Sequence, residues 1–257
     1  MLVFLAMLGM GAVVGFVGAG GAGAVIAVLT LVFNIPVHTA VGTSLAAMIF
    51  TTISGAVSHF REGNMNLKIG ITVGLSGFAG AFVGTKIATT FLSGTNLKLC
   101  TASMLVASAV LVFCRLTWPD WAIFHPRGTA SEEDLQGPRF WVLAVLAGIG
   151  NGLLSGTFGF GAAQFIQLTL LILFGLPLFQ SVGTTMLIIL PIAVSGGLGY
   201  LLSGYLDMML FVQVLLGLMI GAYVGAKFTR LAPRWLLKGA MVAMPGLAGL
   251  LMIVLKR

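Results

Sequence analysis

The chain has 257 residues, 59% of them hydrophobic and only 7% charged, with a formal net charge of +7. A soluble globular domain carries roughly 25% charged residues, so this composition excludes a water-coated globule and requires one coated by lipid. The basic residues are scattered at the ends of apolar segments instead of gathered into a soluble patch, which excludes nucleic acid as a partner and points to orientation in a bilayer.

Eight hydrophobic segments follow in order, at about 2–33, 39–58, 69–92, 97–116, 140–174, 180–201, 208–226 and 236–255. About 20 apolar residues suffice to cross a hydrocarbon core. The expected fold is therefore all-α and polytopic, in three regions: a membrane repeat over 1–116, a polar loop over 117–139 and a second membrane repeat over 140–257. The first segment lacks the basic start of a cleaved leader and its pattern returns inside the chain, so it reads as structure.

The duplication is ungapped. Shifting residues 1–86 by 141 pairs Gly9, Gly11, Gly15, Gly18 and Gly20 with Gly150, Gly152, Gly156, Gly159 and Gly161. It also pairs Pro36 with Pro177, Val41-Gly42-Thr43 with Val182-Gly183-Thr184, and Gly80-x-x-x-Gly84-x-Lys86 with Gly221-x-x-x-Gly225-x-Lys227. Ten of the fifteen glycines find a glycine partner, where composition alone would give about two, so each half is a four-segment repeat.

Segments one and five exceed a single span: about 32 residues at 1.5 Å each reach roughly 48 Å. Both carry a Gly-rich element, Gly15 to Gly23 and Gly156 to Gly161. Helix-interior glycine is unfavourable by about 1 kcal/mol relative to alanine, so these segments are expected to break or fold back there. A dozen residues on, Pro36 and Pro177 mark a second helix break, each followed by small polar residues, Thr43-Ser44 and Thr184-Thr185. Irregular backbone at membrane depth is tolerated where it lines a watery cavity, and opened helix N-termini offer N–H groups and a positive dipole end to anions. Gly80, Gly84, Gly221 and Gly225 read as ordinary helix-packing contacts.

Lys86 and Lys98 flank one short loop, and Lys227, Arg230, Arg234 and Lys238 its equivalent in the second repeat. Counting eight crossings makes both loops cytoplasmic, puts all six acidic residues on the other side, and gives the two repeats the same orientation. Lys86 and Lys227 read as snorkelling anchors, with an anion-attracting vestibule as the functional alternative. No cluster of acids, histidines or a nucleophile with its base stands in any segment, so neither an enzyme nor a metal site is expected, and no cofactor. His38 and His59 align with Phe179 and Tyr200 and read as local. Cys100 and Cys114 read as small apolar packing residues. Asn151, Thr157, Gln164 and Gln167 are polar in the second copy alone, and would supply any asymmetry of a site.

This order of elements resembles the TauE/SafE family of sulfite exporters, over nearly the whole chain: Gly15 to Gly23, Pro36, Val41-Gly42-Thr43-Ser44 and Gly80-x-x-x-Gly84, then Gly156 to Gly161, Pro177, Val182-Gly183-Thr184-Thr185 and Gly221-x-x-x-Gly225. The second copy departs in having Thr185 for Ser44 and in a Gly run diluted by Phe158 and Phe160. The resemblance implies export of sulfite, sulfonates or related small anions across a bacterial or archaeal inner membrane. The expected substrate site lies between the repeats, at Gly18, Gly20, Gly159 and Gly161 with the hydroxyls of Thr43, Ser44, Thr184 and Thr185. A scaffold or assembly role without transport is the alternative. The lipid bilayer is the expected surroundings, and the residues leave the oligomeric state open.

Overall fold

The computed structural model describes residues 1–17, 22–118, 137–160, 162–229 and 234–255. These form ten helices: α1 (Leu2–Val17), α2 (Ala22–Leu31), α3 (Val37–Arg61), α4 (Leu67–Phe91), α5 (Gly94–Thr117), α6 (Pro138–Phe158), α7 (Ala163–Phe174), α8 (Leu178–Leu202), α9 (Met208–Thr229) and α10 (Arg234–Val254). No strand occurs among the described residues. Six helices, α3, α4, α5, α6 and most of α8 and α9, are long and apolar enough to cross a bilayer; α2 and α7, with 10 and 12 residues, are short apolar helices. The chain is a multi-pass membrane protein.

Local sequence sets the helix ends. Pro36 and Pro177 stand at the N-caps of α3 and α8, with extended ψ of 136° and 152°, as expected of a ring that fixes φ and has no N–H to donate. The side chains of Asn66 and Ser93 accept the Ile69 and Asn96 N–H groups and start α4 and α5. The turns ahead of the two prolines need a left-handed residue, supplied by Asn34 (φ 52°) in one copy and Gly175 (φ 60°) in the other. α3 and α8 are both 25 residues long and start 141 residues apart.

Segments one and five are each two helices. In the second copy α6 ends at Phe158, where the Gly159 cap takes φ 74°, and α7 begins at Ala163. α7 then doubles back along α6: Asn151 donates to the Thr169 hydroxyl at 3.2 Å, and Phe140 meets Phe174 edge to face.

Glycine contacts reveal the helix directions. In one pair, Gly11 packs on the Leu218 carbonyl, Gly15 on Ala222, Gly221 on Leu8 and Gly225 on Ala12, so α1 and α9 run parallel. In the other, Gly80 packs on Ile149, Gly84 on Leu153, Gly152 on Gly77 and Gly156 on Ala81, so α4 and α6 run parallel. Every contact of one set becomes a contact of the other when each residue number is moved by 141, up or down. By contrast α3 and α8 are antiparallel, with Gly42 on Tyr200, Leu45 against Gly196 and Gly55 on Met186. α5 and α10 are antiparallel too, with Gly249 on Ala102, Gly246 on Ala109 and Lys98 Nζ bonded to the Leu255 carbonyl.

Equivalent helices that meet antiparallel belong to halves of opposite orientation, which differs from the same-orientation arrangement read from the charges. The physical reason is the fold-back at the Gly-rich elements, which adds one reversal to each half. Because α4 and α9 are equivalent helices of oppositely oriented halves, their C-terminal ends lie on opposite faces, so the two basic loops expected on one side do not share it.

Candidate functional site

A cavity of about 220 Å³ opens beside the midpoints of α3 and α8. Thr51 and Thr52 of α3 and Ile189 of α8 line its centre, Ser44 and Met186 extend it along the two helices, and Leu218 and Ala222 of α9 form a wall. Its lining also includes Ala22 and Ala163, the first residues of α2 and α7. Two helix N-termini, one from each half, thus reach a single cavity. Each carries backbone N–H groups without intrahelical partners and a partial positive charge of roughly half a unit.

The rest of the surface is mostly carbon, with the hydroxyls of Ser44, Thr51 and Thr52 as its polar side chains and no charged side chain among the lining residues. Thr52 donates to the Met48 carbonyl at 2.7 Å and Thr51 to the same oxygen at 3.0 Å, while Ser44 reaches across to the Ala22 carbonyl at 3.3 Å. Each hydroxyl oxygen keeps lone pairs, and each hydrogen can rotate from its backbone acceptor to an incoming anion.

Of the residues singled out by sequence, Ser44 lies in this cavity. Thr43, fully buried on the next step of α3, has a hydroxyl without a partner. Thr184 is bound to the turn before α4, its Oγ1 accepting the Asn66 N–H at 3.0 Å, and Thr185 donates to the Ser181 carbonyl at 2.6 Å. Thr43 and Thr184 are not brought together. Gly42 packs on Tyr200, sixteen residues along α8 from Thr184, which is about 24 Å at 1.5 Å per residue.

Gly159 packs closely on Val41, so its lack of a side chain serves a close approach as well as a left-handed cap. Gly18, Gly20 and Gly161 lie outside the described residues, as does the side chain of Lys227. Lys86 is exposed, its ammonium 5.9 Å from the Phe82 ring, and is not among the lining residues. Pro36 and Pro177 cap their helices away from the cavity.

Among the polar residues peculiar to the second copy, Thr157 bonds the Gly84 carbonyl and receives Tyr200 on its own carbonyl, while Gln167 accepts from Arg115 at 2.9 Å. These are ties between helices. His38 is another: its Nε2 lies 3.1 Å and 3.2 Å from the Ala88 and Leu92 carbonyls, and its ring stacks on Tyr205. No group of three or more metal-ligating side chains occurs among the described residues. Sequence reasoning missed Thr51 and Thr52. The signal for Thr51 was a hydroxyl stripe on α3, Ser44, Thr51, Ser54 and Ser58, at intervals of seven, three and four.

A family model described as sulfite exporter TauE/SafE matches residues 3–252. The probable membrane transporter protein YdhB of Bacillus subtilis is 50% identical over 98% of this chain and 100% of its own length. The probable membrane transporter protein MJ0441 of Methanocaldococcus jannaschii is 26% identical over 98% and 97%, and YunE of Bacillus subtilis, named in the same way, is 23% identical over 88% and 89%. No solved structure matches. A match of this extent, on a helical membrane chain whose two halves converge on one cavity, makes the chain a member of the TauE/SafE sulfite exporter family of membrane transporters.

Proposed function

We propose that the protein exports a small anion, sulfite, a sulfonate or a related organic anion, and that the cavity beside Thr51 is where the anion binds. The observation that carries this reading is the arrival of two helix N-termini, at Ala22 and Ala163, on one cavity that also presents the hydroxyls of Ser44, Thr51 and Thr52. Backbone N–H groups and dipole ends attract an anion without a permanent cation. A buried lysine or arginine would bind it more tightly and release it more slowly, so the absence of charge among the lining residues suits turnover. Gly18 and Gly20 precede Ala22 in the sequence and Gly159 and Gly161 precede Ala163, and on this reading they belong to the same site.

Charge supports a direction. The face where α3 ends carries Arg61 and Lys68, and because α5 runs the same way as α3 and α6 starts beside the start of α4, it also receives Arg115 and Arg139. The face where α4 ends receives Lys86 and Lys98. The more basic face is the cytoplasmic one. The exposed hydroxyls of Thr51, Ser54 and Ser58 lead from the cavity toward it, so the anion enters from the cytoplasm. A potential of 100 mV, negative inside, favours outward movement of each negative charge by about 2.3 kcal/mol, which drives export without a nucleotide.

The test is efflux from proteoliposomes loaded with sulfite, a sulfonate or sulfate under an imposed potential. Wild-type protein should release at least one of these faster than protein-free vesicles, and Ser44→Ala/Thr51→Val should cut that rate by tenfold or more with the protein still folded. Full flux in the folded double variant would remove these hydroxyls from the site. No flux of any of the three would defeat the proposed substrate class.

A further inference from the structure

The two halves of the molecule agree in some contacts and disagree in others, and the pattern of disagreement has one direction. The α1–α9 and α4–α6 pairs are the same contact twice, glycine against backbone at every matched position. The α4–α8 seam and its counterpart, the α9–α3 seam, are not. Between α4 and α8, Gly70 packs on Leu187, Gly74 on Pro191, Gly77 on Ile192 and Gly199 on Thr85, and Ser195 donates to the Phe78 carbonyl at 2.6 Å.

Moved by 141, this seam should bring Thr51, Ser54 and Ser58 of α3 against α9. Instead these three are exposed, whereas their counterparts Ile192, Ser195 and Gly199 are buried. The seam touches where Phe50 meets Phe211, with ring centroids 6.2 Å apart, and the cavity lies along it. Three lining residues, Val14, Thr51 and Ala222, are partly or fully exposed, whereas their counterparts Ser155, Ile192 and Ala81 are fully buried.

One open seam and one closed seam, exchanged by the relation that superposes equivalent helices, describe two conformations of equal architecture. We infer that the protein alternates between them: the α1–α9 and α4–α6 pairs move as units, α3–α9 closes while α4–α8 opens, and Thr185, Ile192 and Ser195 then face water on the side where α8 ends. Thr185 stands where Ser44 stands in the observed state, so a hydroxyl is present beside the anion in both. The Ser195 bond to Phe78 is the latch of the closed seam. This rests on the transport reading above, and it adds which residues form the second gate.

Cysteine accessibility tests it, after Cys100 and Cys114 are replaced by serine. A membrane-impermeant maleimide should reach Thr51→Cys from the face where α3 ends. It should reach Ile192→Cys from the opposite face, at a rate that changes when a transported anion is added. A disulfide then traps one state. A methyl carbon at Gly70 would lie 3.4 Å from the Leu187 Cβ, just short of the roughly 3.5–4.5 Å that a disulfide spans, so oxidised Gly70→Cys/Leu187→Cys should lose both flux and labelling of Ile192→Cys, and reductant should restore both. The matched pair Ala46→Cys/Phe211→Cys should, once oxidised, lose flux and leave Ile192→Cys open to label.

Flux with Ile192→Cys unreached in a fully active protein overturns the alternation and leaves the transport reading intact. Correct labelling without flux of any anion tried supports the alternation and counts against the transport reading. Flux that persists with the Gly70→Cys/Leu187→Cys disulfide formed also overturns the alternation.

Discussion

Replacing Gly156 by alanine tests the closeness of α4 and α6. The added methyl would overlap the Ala81 carbonyl oxygen and come within 2.8 Å of the Ala81 carbonyl carbon and Cα. Carbon atoms in contact settle at about 3.5–4.0 Å, so the helices must part by roughly 1 Å. The obstacle is backbone on a helix, which cannot rotate aside as a side chain can. Overpacking of this kind costs about 1–3 kcal/mol, and for a chain of this size each kcal/mol lowers the melting temperature by about 2–4 °C. A fall of about 2–12 °C is expected in thermal unfolding of the purified protein followed by tryptophan fluorescence.

Gly150, on another face of α6 with nothing within 4 Å, is the control. There alanine should be neutral or stabilising by up to about 1 kcal/mol, since it is the better helix former. The matched substitution Gly15→Ala meets Ala222 as Gly156→Ala meets Ala81, so the two losses should agree. A Gly156→Ala protein melting within 1 °C of wild type, with Gly150→Ala unchanged, would refute the close packing.

Thr184→Val removes the acceptor of the Asn66 N–H and should cost about 1–2 kcal/mol of stability, seen as a lower melting temperature with anion affinity unchanged. Asn66→Ala should cost about 1 kcal/mol through the lost cap of α4, again read in thermal unfolding. His38→Phe, the residue type found at the matched position Phe179, loses the ties to Ala88 and Leu92. It should lower stability by about 1 kcal/mol and raise protease sensitivity at the turn between α4 and α5. Gln167→Leu removes a side-chain acceptor of the Arg115 guanidinium; because Arg115 is partly exposed, the expected loss is about 1 kcal/mol or less by the same measurement.

Composition alone determined that lipid coats this chain, because 7% charged residues cannot wet its surface. The 141-residue offset and the paired prolines determined where equivalent helices begin, because proline and the turns before it act through local backbone geometry: α3 and α8 start immediately after Pro36 and Pro177. The packing role of Gly80, Gly84, Gly221 and Gly225 was legible for the same reason, a small residue repeated every helical turn or so having one main use. Orientation was not legible. It depends on whether segments one and five reverse, and a Gly-rich break allows both a kink and a hairpin.

Which hydroxyls meet was decided by tertiary structure as well. Thr43 and Thr184 share the Val-Gly-Thr motif, yet on antiparallel helices matched positions lie at opposite ends, and one oxygen binds a turn while the other has no partner. Thr51, without a threonine counterpart in the second copy, stands beside the cavity because it lies near the midpoint of its helix. There the two inverted halves meet: Met48, one turn before Thr51, and its counterpart Ile189 both line the cavity.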